Sequence, residues 1–327
     1  MASMKMVLAT IAMLGLVASA HAQTYELRFA TSVANVEEPS YKAMASFAER
    51  VEERSGGRID ITIFHGEQLG AQKKVNEMIM GGAALMNMTD YGQLGQFSPD
   101  LGLVAGPYVF GSLGDAERLF ASDVFAEMSD KLAQQGIRII MPDGLFGYRH
   151  MIADRPIRTP ADVEGMTVRV PPSPILLEAF RALGARPTEV PWGEVYNALQ
   201  SNVVNAAEAP FASIYGSKLN EVRKVVSRTG HQIMFTAWVI SSSFFDNLPA
   251  DLQQILLEEG DRIADELTAA TLEGDAHFAD LLVQSGVEII DDVDVAAFQE
   301  LTRKAYDSVP NLTPGILDRI RAAMKAD

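Results

Sequence analysis

Between residues 156 and 210 apolar and polar positions switch repeatedly between two periods, with a proline or glycine at each joint. Met166 to Val170 alternates, Val168 and Val170 on one face and Thr167 and Arg169 on the other, which is the period of a strand. Pro171 and Pro172 end it. Ser173 then caps a helix with Pro174 in its first position, and Gly184 after Leu183 supplies a left-handed stop, so the pattern predicts a helix over 174–183. Arg186 to Val190 reads as a second extended segment closed by Pro191, Trp192 to Gln200 as a second helix, and Val203 to Glu208 as a third strand closed by Pro210. Strands joined by helices imply a parallel sheet, and ligands of such sheets lie outside the carboxyl ends of the strands. Those ends carry Arg169, Trp192, Glu208 and Ala209, which puts a cation, a flat aromatic and an acid on one crevice.

The chain opens with the same pattern. Tyr25 to Thr31 alternates as a strand, Ser32 to Pro39 is a polar loop, and an amphipathic helix from Ser40 to Ser55 stops at Gly56-Gly57. Arg58 to Phe64 is a second strand, Ala71 to Met80 a second helix ended by Gly81-Gly82, and Ala84 to Met88 a short buried strand. This second β-α-β-α-β unit makes the fold class α/β, with two parallel-sheet domains around a cleft. The strand-end loops of the first unit, Thr31 to Pro39 and Asn87 to Gly92, are expected to turn Asn35, Glu37, Glu38, Asp90 and Tyr91 toward that cleft.

Ile137 to Met141 is an apolar strand, Asp143-Gly144 a turn, and Gly147 to Ile152, which carries Arg149, crosses into the second domain; Ile233 to Ser241 crosses back. From Leu248-Pro249 to Gln284 runs a helical pattern of about 35 residues, roughly 50 Å long at 1.5 Å per residue. Gly260 and Gly274 lie inside it, either as kinks in one helix or as a break between two. Val287 to Asp291 and two closing helices complete the second domain. The expected division is therefore 23–146 plus 235–274 for the first domain and 147–234 plus 275–327 for the second.

Composition adds bounds. The chain has 327 residues, 48% of them hydrophobic, enough for two ordinary cores. Met1 to Ala22 holds one lysine (Lys5), an apolar run from Met6 to Ala18 and the small-x-small sequence Ala20-His21-Ala22, so 1–22 is expected to be a cleaved secretory signal and Gln23 the first mature residue. The apolar run is too short to span a bilayer, and no other stretch is apolar for long enough, so an exported protein without direct membrane insertion is expected. Cysteine is absent, which excludes thiolate nucleophiles, thiolate metal sites and disulfides. The net charge of −16 opposes nucleic acid or an acidic membrane surface. A small anion can still bind where arginines act at short range, because exposed charges beyond about 8–10 Å are screened.

Catalytic chemistry finds little footing. His65, His150, His231 and His277 show no pair at i, i+3 or i+4, so no zinc or metalloprotease spacing exists. No G-x-S-x-G, S-x-x-K, G-x-G-x-x-G or Walker pattern occurs. Asp291-Asp292-x-Asp294 lacks the glycine and distal glutamate of a calcium loop. Glu189, Glu194 and Glu208 are acids near the crevice, but sequence gives no separation for acid–base work.

Three runs carry a resemblance: Thr159-Pro160-x-Asp162-x-x-Gly165-Met166-x-Val168-Arg169-Val170-Pro171, then Gly184-Ala185-x-Pro187, then Pro191-Trp192-Gly193-Glu194-Val195-Tyr196-x-Ala198-Leu199-Gln200. With Gly147-Tyr148-Arg149, His231 and Leu248-Pro249-x-x-x-Gln253, they resemble the extracytoplasmic solute-binding proteins of TRAP (tripartite ATP-independent periplasmic) transporters over essentially the whole mature chain. The resemblance implies a periplasmic binding protein without cofactor or metal, braced by one long helix, that closes by hinge motion on a small organic acid and delivers it to the transporter's membrane subunits. It further implies that Arg169 takes the ligand carboxylate bidentately, Arg149 adds a second cationic contact, Trp192 packs on the ligand body, and His231 lies near the ligand. One departure stands out. Where the family usually has Asp-Gly-x-Glu-Asn-Pro, this chain reads Asn205-Ala206-Ala207-Glu208-Ala209-Pro210, so Ala209 replaces an asparagine that commonly helps hold the carboxylate.

The first-domain loops TSVANVEEP and NMTDYG contain Glu37, Glu38 and Asp90 but no lysine or arginine. They would repel a second carboxylate and accept hydrogen bonds from hydroxyls, as would Asn35 and Asn87, so the expected ligand is a uronate-like sugar acid. The alternatives are a C4-dicarboxylate or other carboxylate as ligand, or a secreted lyase or hydrolase acting on sugar acids.

Overall fold

A computed structural model describes residues 23–325; the expected signal, 1–22, lies outside the described residues. The first lobe forms from β1 (Tyr25–Ala30), α1 (Pro39–Ser55), β2 (Ile59–Phe64), α2 (Gln72–Met80) and β3 (Leu85–Asp90). β1 pairs with β2 and β3, both in parallel, as the β-α-β-α-β pattern requires. Pro39 sits in the first turn of α1, where a missing N–H costs nothing, and Gly56 closes the helix at φ 63°. One face of α1, with Ala43, Met44, Phe47 and Val51, buries against Leu27, Phe29 and Trp238.

The crossing segments differ from expectation. Each is a single 17-residue strand: β4 (Ile137–Ala153) and β8 (Val225–Ser241), antiparallel to one another from Ile137↔Ser241 to Ala153↔Val225. The Asp143-Gly144 turn signal is absorbed as a register shift rather than a strand end, and further shifts follow at Leu145/Gly147 and Arg149/Met151. The large sheet therefore runs β2-β1-β3-β8-β4-β7 and is mixed, with β8 antiparallel to β3 and β7 (Ala207–Ala209) antiparallel to β4. β9 (Glu288–Ile290) adds to β8 in parallel.

The second lobe keeps the parallel pair β5 (Thr167–Val170) and β6 (Arg186–Glu189) on either side of helix Pro174–Ala182. The third strand expected at Val203 to Glu208 is shorter and later. It touches β5 through one parallel bridge, Val168↔Ala206, and then turns to pair with β4.

Residues Ala250–Gln284 form one continuous 35-residue helix, the bridging helix. Leu252, Leu256, Ile263 and Leu267 join the first-lobe core, whereas Phe278, Ala279 and Leu282 join a second-lobe core with Val226 and Phe211. Gly260 is not a break. A Cβ there would stand 2.4 Å from the Ile140 carbonyl oxygen, so glycine lets the helix lie directly on β4. Gly260→Ala, which would stabilise an open helix by about 1 kcal/mol, is therefore expected to destabilise this protein by about 1–3 kcal/mol. Urea denaturation checks it, and a variant as stable as wild type would sink it. The tail divides its packing: Phe298 of helix Val295–Thr302 sits in the second-lobe core with Val168 and Phe180, while Ile316 and Ile320 of helix Ile316–Ala323 return to Leu119 and Phe125 of the first lobe. Period shows that a helix has an apolar face but not which lobe receives it.

Candidate ligand-binding site

A cleft of about 550 Å3, partly open to solvent, lies between the lobes. That is within the range of small-molecule sites, about 300–1,000 Å3. Its second-lobe wall is cationic. Arg169 points from the end of β5 and Arg149 from β4, each buried, with Trp192, Ala209, Pro210 and Ser213 beside them. Arg149 is committed to Glu208: its Nε and NH2 donate to the carboxylate, NH2 to Oε1 at 2.5 Å, and NH2 also donates to the Glu208 carbonyl at 2.8 Å.

Arg169 is held differently. Its Nε donates to the Val190 carbonyl at 2.9 Å, and its guanidinium carbon stands 5.2 Å from the Trp192 ring centre, a cation–π stack. Trp192 is in turn fixed by Nε1 donating to Ser217 Oγ at 3.1 Å. Arg169 NH1 reaches only to 3.9 Å from Glu208 Oε1, beyond hydrogen-bond range, so the outer edge of this guanidinium keeps its donors for the cleft.

The electrostatics follow from burial. Burial alone would raise the Glu208 carboxyl, but the Arg149 charge together with the hydrogen bonds from His231 and Arg149 outweighs it and holds Glu208 down at about 2. Burial pushes Arg169 down to about 10, against the pull of Glu208, and it stays charged at neutral pH. Arg149 is raised, since Glu208 more than offsets its own burial.

The first-lobe wall contains no lysine or arginine. Asp90, raised by burial, accepts from Gln93 N at 3.1 Å. Gln93 Nε2 donates to Gln72 Oε1 at 2.7 Å, Thr89 Oγ1 donates to the same oxygen at 3.0 Å, and Gln72 Nε2 donates to Ser32 Oγ at 2.7 Å. Glu38 closes this wall. It is buried, its carboxylate accepts, among the described residues, only from Ser213 Oγ of the opposite lobe at 3.4 Å, and burial pushes its carboxyl up to about 8. Two further contacts tie the lobes: Gly193 N donates to Glu67 Oε2 at 3.1 Å and Gln96 Nε2 to the Pro172 carbonyl at 2.8 Å.

Of the residues singled out from sequence, Arg149, Arg169, Trp192, Ala209, Glu38 and Asp90 line the cleft. Glu208 and His231 stand behind it. Glu208 is fully buried under Arg149, and His231 Nε2 lies 3.3 Å from Glu208 Oε2 while its Nδ1 is 2.8 Å from Thr229 Oγ1, so both orient the arginine rather than face the space.

Four first-lobe expectations are corrected. Glu37 is 72% exposed and pairs with Lys42 at 2.9 Å, because its neighbour Glu38 takes the inward direction as α1 begins. Asn35 closes its own turn, Oδ1 accepting from Glu37 N at 3.0 Å, on an outer groove beside the bridging helix. Tyr91 is core: its hydroxyl donates to the Pro142 carbonyl at 2.5 Å and its ring packs on Phe120 and Phe125. Asn87 also turns away, donating to Asn76 Oδ1 at 2.7 Å. Ser32, Gln72, Gln93 and Ser213 were not singled out from sequence. Ser32 lies in the loop after β1 and Gln72 opens α2 after β2, where the strand-end rule would have found them.

Among the described residues no group of three or more His, Asp or Glu side chains could hold a metal ion, and no helix is long and apolar enough to cross a membrane.

Two α/β lobes, a bridging helix and an arginine-walled cleft define a binding protein of the periplasmic type. The family described as bacterial extracellular solute-binding protein, family 7, matches residues 29–311. The chain is 27% identical to the 2,3-diketo-L-gulonate-binding periplasmic protein YiaO of Escherichia coli over 79% of each chain. Its fold superposes on the TRAP periplasmic solute-binding protein of Ochrobacterium anthropi with bound L-fuconate at a TM-score of 0.88, with 33% identity over 92% of this chain and 100% of the other. Against the apo open structure of a TRAP solute-binding protein from Escherichia fergusonii, at 28% identity over 91% and 99%, the TM-score falls to 0.78. The lobes described here are thus arranged more as in the ligand-bound relative. The chain belongs to this family, the extracytoplasmic solute-binding proteins of TRAP transporters. Its members are periplasmic binding proteins rather than enzymes, and they work with membrane components of the transporter.

Proposed function

We propose that the protein captures a monocarboxylate sugar acid, a uronate or aldonate, and presents it to the membrane subunits without altering it. The observation that carries this is the asymmetry of the cleft: one guanidinium edge, on Arg169, is free to take a carboxylate, while the facing wall offers hydroxyl, amide and carboxyl groups and no cation. Arg149 spends its fork on Glu208 and contributes charge more than donors. Trp192 and Met88 cover the C–H faces of the ligand, and Gln72, Gln93 and Asp90 take its hydroxyls. A second carboxylate would find no cation on the facing wall, which disfavours a C4-dicarboxylate. Ala209 in place of the asparagine leaves one donor fewer for anionic oxygens, in keeping with a single acid. The names of YiaO and of the L-fuconate-bound relative support the sugar-acid class.

Side-by-side calorimetric titration tests the reading. Galacturonate, glucuronate or an aldonate is expected to bind, whereas succinate and malate are expected to bind far more weakly. Tight succinate binding with no response to any sugar acid would overturn it, and conversion of a bound sugar acid to product would restore the enzyme alternative.

A further inference from the structure

Glu38 is a first-lobe residue covered by the second lobe. It enters α1 from the loop after β1, yet the groups that cover it, Ser213 and Gly216 of helix Phe211–Gly216, belong to the second lobe. A Cβ at position 216 would overlap the carboxylate, so glycine is what lets the second lobe seat against it. The residue is 3% exposed and lines both the cleft and the adjoining pocket toward the bridging helix.

α1 offers Lys42, which is spent on Glu37 at the surface. β4 and β5 offer Arg149 and Arg169, whose carboxylate partner is Glu208. β3 ends in Asp90 and the bridging helix contributes Asp275, both acids, and helix Phe211–Gly216 brings the neutral Ser213. Glu38 is thus a carboxyl closed off from water with no cation in contact. Opening the lobes moves Ser213 and Gly216 away and returns it to solvent.

We propose that closure of the lobes on the ligand takes up one proton, at Glu38, so that capture tightens as pH falls. This rests on the reading of the cleft as one that closes on an organic acid. Since burial raises the Glu38 carboxyl from its ordinary 4.5 to about 8, the closed state holds a proton that the open state has released throughout that window. A carboxyl raised on closing favours the closed state fully below the open-state value. That advantage is lost as pH rises through the closed-state value, with affinity falling by up to about tenfold per pH unit between the two.

Calorimetry with galacturonate and glucuronate, whose carboxylates stay ionised throughout, tests this at pH 6 and 8 in two buffers of different ionisation enthalpy. Wild type is expected to bind several-fold or more tighter at pH 6 and to take up close to one proton. Glu38→Gln, neutral at every pH, is expected to lose both the slope and the uptake. Equal wild-type affinity at pH 6 and 8, or a slope that survives in Glu38→Gln, overturns the proposal. If no sugar acid binds at any pH, the ligand class under Proposed function falls, and small-angle scattering of the ligand-free protein decides the linkage. Glu38→Gln should then be more compact than wild type at pH 8, and equal radii of gyration would overturn it.

Discussion

Arg169→Ala is expected to lose most ligand binding, by about 2–5 kcal/mol or roughly 30- to several-thousand-fold in Kd, the usual cost of removing one partner of a buried, hydrogen-bonded charge pair. The loss should fall on binding and not on folding. Glu208 keeps its Arg149 partner when Arg169 is gone, so no buried carboxylate is left unpaired. Arg169→Lys should recover little. An ammonium cannot donate to the Val190 carbonyl, lie flat on Trp192 and present two parallel donors at once, as the guanidinium does. Calorimetry of both variants, with circular dichroism to show that they fold, checks this. An alanine variant within about threefold of wild type would remove Arg169 from the role.

Glu208→Gln has the opposite signature, because Glu208 supports the site from behind. Replacing its charge strands Arg149 and also removes the carboxylate that stands 3.9 Å from Arg169 NH1, and breaking a buried pair in this way typically costs about 3–5 kcal/mol of stability. The pH dependence follows from the lowered carboxyl. A group at about 2 in the folded chain contributes stability that is complete above the unfolded carboxylate value, about 4.3, and is lost as pH falls through the folded value. The stability gap between wild type and Glu208→Gln should therefore be constant from neutral pH down to about 5 and narrow below that. Urea denaturation at pH 7 and pH 4 reads both features. A gap under about 1 kcal/mol at neutral pH would mean that Arg149 does not need its partner. Glu38 runs the other way, since nothing cationic offsets its burial. Two glutamates on one cleft thus respond oppositely to acid, and the difference is the arginine beside Glu208.

The local units and the cation at their meeting point could be read from the chain alone. Strands β1, β2 and β5, the helices between them and the bridging helix were legible because period, proline and glycine act over a few residues, and Arg169 was legible because it stands next to last in β5, two residues before Pro171. How the strands pair depends on contacts between distant parts of the chain. Residues 137–153 and 225–241 look like short pieces when read alone, since the turn signal at Asp143-Gly144 is real locally and is overridden by a ladder to a strand nearly a hundred residues away in the chain. Tertiary packing also decided which acids face the cleft. Glu37 and Glu38 are chemically identical neighbours, separated by the direction in which α1 starts, and Tyr91 was drawn into the core by Phe120 and Phe125. The pairing of Arg149 with Glu208, which leaves Arg169 as the free fork, joins positions 59 residues apart. Periodicity reports which face of an element is apolar, because that depends on neighbours in the chain. Partner, direction and burial depend on what packs across the lobe, and that is fixed only when the whole chain has folded.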